Sequence, residues 1–225
     1  MKIFLPTTFL FALLFISFNV KAQYIHDYQG KGYNEQSYND VEGNPYLTTG
    51  WFGGIVNFNN GKSASAKLKY DLVKDELLFQ NTKDSSAMVF IDPVKSFRFE
   101  TFKIDETNLV PIVFSNGYPA VDDQTTASFY QVIADGKLKL LKHYKKSIRT
   151  DQAFNSASAT KTFVLVSFYY LLSDAKITRI KPNQKVVLAA MNDKADKIQV
   201  YLKSTKVDYK SDADLFKLFN YYNSL

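Results

Sequence analysis

Apolar and polar residues alternate most regularly between Gly53 and Gln80, GGIVNFNNGKSASAKLKYDLVKDELLFQ, and this stretch predicts three successive strands. Ile55, Val56 and Phe58 run into Asn59-Asn60-Gly61, where Asn and Gly accept the positive φ of a tight reversal, so a hairpin is expected. In the next run Ala64, Ala66, Leu68, Tyr70 and Leu72 fall on one side of an extended chain, and Ser63, Ser65, Lys67, Lys69 and Asp71 on the other. That period of two marks a strand with one wet face. Lys74-Asp75-Glu76 breaks the pattern before Leu77-Leu78-Phe79 completes a meander.

The alternation recurs downstream. Ala87 to Ile91 and Val94 to Phe102 read as strands parted by Asp92-Pro93, since proline has no N–H to give a ladder, and Leu109 to Phe114 ends at Asn116-Gly117. Residues 127–133, a turn at Asp135-Gly136 and residues 137–144 make a further hairpin. Residues 130–142 align without gaps on 169–181, so either a hairpin unit repeats or two hairpins share ordinary turn chemistry. Phe163 to Leu172 is apolar on both faces and reads as a central, doubly covered strand, with 145–161, KKSIRTDQAFNSASATK, as a long polar connection between the hairpins.

After Lys181 the period lengthens to nearly four. Pro182-Asn183 opens a short helix over QKVVLAAMND, Ile198, Tyr201 and Leu202 mark a second within 194–203, and Ser211 caps a third, with Asp214 where a capping box places its acid. Leu215, Leu218, Phe219 and Tyr222 form one apolar stripe on the last helix, which is expected to pack on the sheet. Strands first and helices last predict an α+β fold: antiparallel meanders and hairpins, as an open sheet or partial barrel, then a small C-terminal helical segment. The expected organisation is a signal peptide over 1–22, a flexible polar leader over 23–45, either mobile or draped over the domain, an antiparallel β domain over 46–181, and helices over 182–225 packed on it as one unit.

KLKYDLVKDELLF, the NPYL leading into an aromatic-Gly strand, FYQVIADGKLKLLKHYKK and the closing LFKLFNYYNSL, spread over Asn44 to Leu225, together resemble an uncharacterised family of exported proteins of Gram-negative bacteria. The resemblance implies export and a β-rich body, and it brings no activity or catalytic residue with it.

Composition narrows the setting. Lys2, an apolar core from Ile3 to Phe18 and Val20-Lys21-Ala22 have the order of a secretory signal peptide, and the core is shorter than the roughly 20 residues of a spanning helix. Cleavage after Ala22 removes Lys2 and Lys21 and lowers the formal charge from +6 to +4. Of 28 basic residues only Arg98, Arg149 and Arg179 are arginine, which argues against a reader of nucleic acid. With no cysteine the exported chain uses no disulfide, and stability rests on burial, for which 19 Phe and 15 Tyr are ample material.

Candidate chemistry is sparse. His26 and His143 are the two histidines, and no His-x-x-His, acidic calcium loop, Gly-x-Ser-x-Gly or phosphate-cradling glycine loop occurs, so neither metal nor cofactor is expected. The densest acid pairs, Asp75-Glu76 and Asp122-Asp123, fall where turns are expected; a glycan-directed hydrolase, the alternative reading, needs two carboxyl groups facing across roughly 5–10 Å. Lys137, Lys139, Lys142, Lys145, Lys146 and Arg149 concentrate positive charge, either as a stripe for anionic headgroups or polysaccharide or as a wet face that discourages edge pairing. Trp51, Lys137, Lys139, Lys142 and His143 are therefore the candidate ligand-binding residues.

The expected function is an exported, non-enzymatic binding or structural module of the cell envelope, periplasmic, outer-membrane-associated or extracellular. Its partner is an envelope protein or polysaccharide, not nucleic acid, and the mature chain has no transmembrane segment. A lipid-facing barrel fits poorly with so many lysines on alternate strand positions and a helical end. Expression of the full chain in a Gram-negative host, followed by fractionation and N-terminal sequencing, checks the leader. The mature protein is expected without detergent and beginning at Gln23, and recovery with the first 22 residues attached would overturn the assignment.

Overall fold

The alternating runs become the strands of one antiparallel sheet. In the computed structural model, which describes residues 28–100, 112–152 and 159–225, eleven strands are present. They are β1 Gly30–Gly32, β2 Phe52–Phe58, β3 Ser63–Asp71, β4 Glu76–Gln80, β5 Ala87–Phe90, β6 Val94–Phe99, β7 Val113–Ser115, β8 Tyr130–Ala134, β9 Lys139–Gln152, β10 Ala159–Ser173 and β11 Lys176–Ile180. Helices α1 Gln184–Ala190, α2 Ala195–Ser204 and α3 Asp212–Ser224 follow, which is the α+β arrangement the sequence predicts, with the sheet open. The expected signal peptide over 1–22, the first leader residues 23–27 with His26, and the expected strand ends at 101–102 and 109–111 lie outside the described residues.

The strand order β1-β5-β4-β3-β2-β6-β7-β8-β9-β10-β11 contains two departures from a meander: β1 pairs with β5 and not with β2, and β6 pairs with β2 and not with β5. Only Ile91, Asp92 and Pro93 link β5 to β6. Four Cα steps reach about 14 Å, whereas four strand spacings on a flat sheet amount to about 19 Å. The sheet therefore rolls, and its hollow fills with Val56, Leu68, Tyr70, Phe97 and Phe114, all fully buried. Phe97 and Phe114 stack with centroids 4.8 Å apart, and Tyr70 meets both rings edge-on or tilted. The Asn59-Asn60-Gly61 reversal forms as expected, with Gly61 at φ 81° and its N–H donating to the Phe58 carbonyl.

The other face of β3 differs from its sequence pattern. Ser63 and Lys67 keep some exposure, but Lys69 and Asp71 are buried, because residues 28–51 are draped across this face. The leader contributes β1 to the edge of β5, and Tyr46 bridges Asp71. Asp71 accepts from the Tyr33 and Tyr38 hydroxyls and from the Val73 and Lys74 N–H groups at 2.7 and 2.9 Å. Burial and the adjacent carboxylate push the Tyr38 phenol up to about 12 and the Tyr33 phenol higher still. Leu72 is held on both sides, its N–H donating to the Pro45 carbonyl and its carbonyl accepting from Lys146 N–H, each at 3.0 Å. Lys146 Nζ donates to the carbonyls of Asn44 and Tyr46 at 2.8 and 2.7 Å, and burial lowers its pKa. On the hollow side Asp75 accepts from the Tyr70 hydroxyl and the Phe129 N–H.

The expected connection over 145–161 is strand over 145–152 and 159–161, while 153–158 lie outside the described residues. β9 and β10 pair without interruption from Leu172 opposite Lys139 to Ala159 opposite Gln152, so most of the polar stretch lies in a long two-stranded arm. A backbone ladder needs no apolar side chains, and the exposed Ile148, Thr150 and Thr160 suit an extended chain wet on both faces. β10 is correspondingly not central. It is the last strand but one, and Leu165 is 52% exposed. The two similar hairpins also differ. β10 and β11 join through a two-residue turn, Asp174-Ala175, with both φ values positive, whereas Ala134 pairs with Leu140 across a longer loop and a register shift. That loop is clamped by α3: Asn223 accepts from Leu138 N–H and donates to the Leu138 and Asp135 carbonyls, so close to Gly136 that a Cβ there would lie 2.5 Å from it.

The stripe Leu215, Leu218, Phe219 and Tyr222 packs on Ile133 and Leu140. Ser211 caps α3 by accepting from Asp214 N–H at 3.3 Å, but the Asp214 carboxylate accepts from Asp208 N–H, so the second half of the capping box is used to pin the preceding connection. Replacement of Asp71 by alanine leaves the Val73 and Lys74 N–H groups and two tyrosine hydroxyls without their acceptor. Urea unfolding is expected to show a loss of about 3 kcal/mol or more, against ~0.5 kcal/mol or less for Asp151→Ala in the exposed arm.

Candidate functional site

The residues singled out from the sequence do not meet. Trp51 packs with Tyr33, Tyr46 and Leu78 on the outer face of the sheet, where Lys69 Nζ lies 4.4 Å from the Trp51 ring and 4.5 Å from that of Tyr46. Lys137 pairs with Asp193 at 2.8 Å, Lys139 with Asp135, and Lys142 with Asp212 at 2.6 Å. Lys145 is paired with Asp123, and Arg149 with Asp151 at 2.7 Å. The basic run is thus largely neutralised, by Asp123, Asp193 and Asp212 from other elements and by Asp135 and Asp151 close by in the chain. His143 is buried, with Nδ1 3.0 Å from the Phe129 carbonyl and its ring against Tyr130.

Charge and aromatic surface converge elsewhere, at the end of β11. This strand pairs with β10 only from Ser173 to Tyr169, and the chain then leaves the sheet at Lys181-Pro182, where the proline ends the ladder and Asn183 caps α1 by accepting from Val186 N–H at 3.0 Å. The α2–α3 connection approaches the same place. Asp208 accepts from Lys210 N–H at 2.9 Å and is itself tied to Asp214, which presents Tyr209 and Lys210 towards β10. Between them lies an open groove of about 610 Å³ lined by Phe168, Tyr169, Tyr209, Arg179, Lys181 and Lys210, together with Ser167, Ile180 and Pro182.

The groove is rigid on one side and free on the other. Tyr169 donates to Asp212 at 2.6 Å while Lys142 stands 4.9 Å over its ring, so ring, ammonium and carboxylate lock one another; burial, then the Asp212 carboxylate, raise the Tyr169 pKa. The Arg179 guanidinium lies 3.8 Å from the Phe168 centroid and 3.6 Å from Asp122. Lys181 and Lys210 are exposed and have no acidic partner among the described residues. No carboxylate lines the groove. Its surfaces suit an anionic partner that also offers something flat or apolar.

Of the acid pairs read from the sequence, Asp75, Asp122 and Asp123 sit in turns and are engaged there, while Glu76 opens β4 opposite Asp71. Asp75 and Asp122 hold φ values of 55° and 52°; Asp75 serves Tyr70 and Phe129, Asp122 accepts from Tyr170 at 3.1 Å, and Asp123 binds Lys145. Among the described residues no three His, Asp or Glu side chains gather as a metal site, and no helix is long and apolar enough to cross a membrane. Phe168, Arg179, Lys181, Tyr209 and Lys210 carry no local motif. The sequence signals near them are the Lys181-Pro182 strand exit and the polar run before the Ser211 cap.

Lys142 and Asp212 are both about seven-eighths buried, with side-chain exposures of 12% and 13%, so their pairing is structural. Lys142→Ala is expected to cost about 3 kcal/mol in urea unfolding, because it strands a buried carboxylate. Lys181→Ala and Lys210→Ala are expected to stay within about 0.5 kcal/mol of the parent.

No protein-family model matches this chain, and neither does any curated protein or solved structure. What the groove binds has to be read from its own residues.

Proposed function

We propose that the protein is an exported, non-enzymatic binding module of the cell envelope that holds an anionic partner in the groove between the end of β11 and the α2–α3 connection. The observation that carries this reading is the gathering of Arg179, Lys181 and Lys210 in one groove with Phe168, Tyr169 and Tyr209, with Arg179 against the Phe168 ring and no carboxylate in the lining. A guanidinium held against an aromatic ring keeps its donors aimed outward, and two unpaired ammonium groups need not break an ion pair in order to bind. The aromatic surfaces supply area that is already ordered, which lowers the entropic cost of association. The signal-like N-terminus supports export to the envelope, where carboxylated polymers and acidic protein segments are both encountered.

Titration of the full chain with oligogalacturonate and with a glutamate-rich peptide, followed by tyrosine and tryptophan fluorescence or calorimetry, tests the reading. At least one anionic probe is expected to bind, to weaken as salt rises through about 0.1 M, and to lose roughly tenfold in affinity in the double variant Lys181→Glu/Lys210→Glu with unchanged thermal stability. Equal affinity in parent and double variant would sink it.

A further inference from the structure

The groove opens directly onto an unpaired stretch of β10. In this strand the odd-numbered residues address the side on which β11 lies. Phe163 N–H donates to the Glu42 carbonyl at 3.3 Å, Glu42 N–H donates to the Lys161 carbonyl at 2.8 Å, and at the other end the two-residue turn makes Ser173 and Lys176 a hydrogen-bonded pair. By the same alternation Leu165 and Ser167 send their N–H and C=O groups to that side. The Glu42 bridge lies opposite Thr162, and β11 begins its pairing only at Tyr169, so among the described residues nothing meets them. Leu165 is 52% exposed and Ser167 is exposed at the mouth of the groove.

We propose that the partner is an extended polypeptide segment bearing carboxylates, which adds as a strand to β10 at Leu165 and Ser167 and directs its acidic groups to Lys181, Lys210 and Arg179. This inference rests on the groove being the binding surface. Exposed edges are ordinarily blunted by lysine, proline or a bulge, yet residues 164–168 read Val-Leu-Val-Ser-Phe and are regularly paired to β9. From Phe163 to Tyr169 the gap spans about 20 Å, room for a strand of four or five residues. Main-chain hydrogen bonds to the edge supply affinity that is indifferent to side chains, and the cations at one end select for negative charge. A polysaccharide satisfies the cations but has no alternating N–H and C=O groups to offer the edge. Pairing with β10 of a second copy is opposed by length: β10 has fifteen residues, and laying it along itself would drive it into β11 and the Glu42 segment.

The test uses the full chain, a seven-residue peptide of alternating valine and glutamate, the same peptide N-methylated at alternate amides, and oligogalacturonate, with amide resonances and hydrogen exchange read for Leu165 and Ser167. The unmodified peptide is expected to slow exchange of both amides at least about tenfold, and both N-methylation and Ser167→Pro are expected to lose about tenfold or more in affinity. The N-methylated peptide keeps the test decisive if Ser167→Pro fails to fold. Binding that is insensitive to N-methylation, or binding of oligogalacturonate alone with both amides unprotected, would overturn strand addition and leave the groove reading standing. Protection of the same amides in a concentration-dependent dimer without peptide would overturn the proposed occupant. Failure of every probe to bind would overturn both this inference and the groove as a binding surface.

Discussion

The turn between β3 and β4, Asp71 to Asp75, is the constraint on which the rest of the fold depends. Within five residues it accepts or donates hydrogen bonds to Tyr33, Tyr38 and Pro45 of the leader, to Phe129 before β8 and to Lys146 in β9. Asp71 is fully buried, and a buried carboxylate is tolerable only when donors surround it. The arrangement that supplies those donors also requires the sheet to roll until β9 meets the β3–β4 turn and requires the leader to lie across β3. Satisfying one buried charge thereby sets the curvature of the sheet and the path of residues 28–46 together.

The position of the groove follows from the same geometry. The leader returns across the sheet to bridge β10 at Thr162, having been pinned by Asp71 and by the Lys146 ammonium, while β11 is too short to reach it from the other end. The interval of β10 between these covers is left with its backbone open. The helical end shields the neighbouring part of β10 through the Lys142, Asp212 and Tyr169 contact and brings Tyr209 and Lys210 to the rim. Among the described residues, the sheet of eleven strands otherwise has two outer edges, β1 and β11. The third opening, inside the span of β10, is the one flanked by cations and aromatic rings.

Local pattern and long-range contact explain different parts of this molecule. Asn59-Asn60-Gly61, Asp135-Gly136 and the Ser211 cap act over three or four residues, so the turn chemistry is visible in the chain and appears in the structure at the same places. The basic run from Lys137 to Arg149 reads as one stripe because three of its acids, Asp123, Asp193 and Asp212, arrive from up to 70 residues away. Residues 145–152 and 159–161 read as loop because strand pairing satisfies the backbone irrespective of side-chain polarity, and the partner strand is not written beside them. Trp51, prominent as the single tryptophan, is occupied by packing and by Lys69.

The sequence by itself determined the α+β class, the hairpin turns, the apolar stripe of α3 and the absence of disulfides, because each depends on residue type at short spacing. Only the tertiary structure decided that β6 returns beside β2, that the leader buries Lys69 and Asp71, that the lysine run is paired, and that Arg179, Lys181 and Lys210 gather beside an open strand edge. Each of those outcomes joins residues far apart in the chain. Long-range pairing is selected by the summed satisfaction of buried polar groups and the filling of the hollow, and no local pattern records that sum.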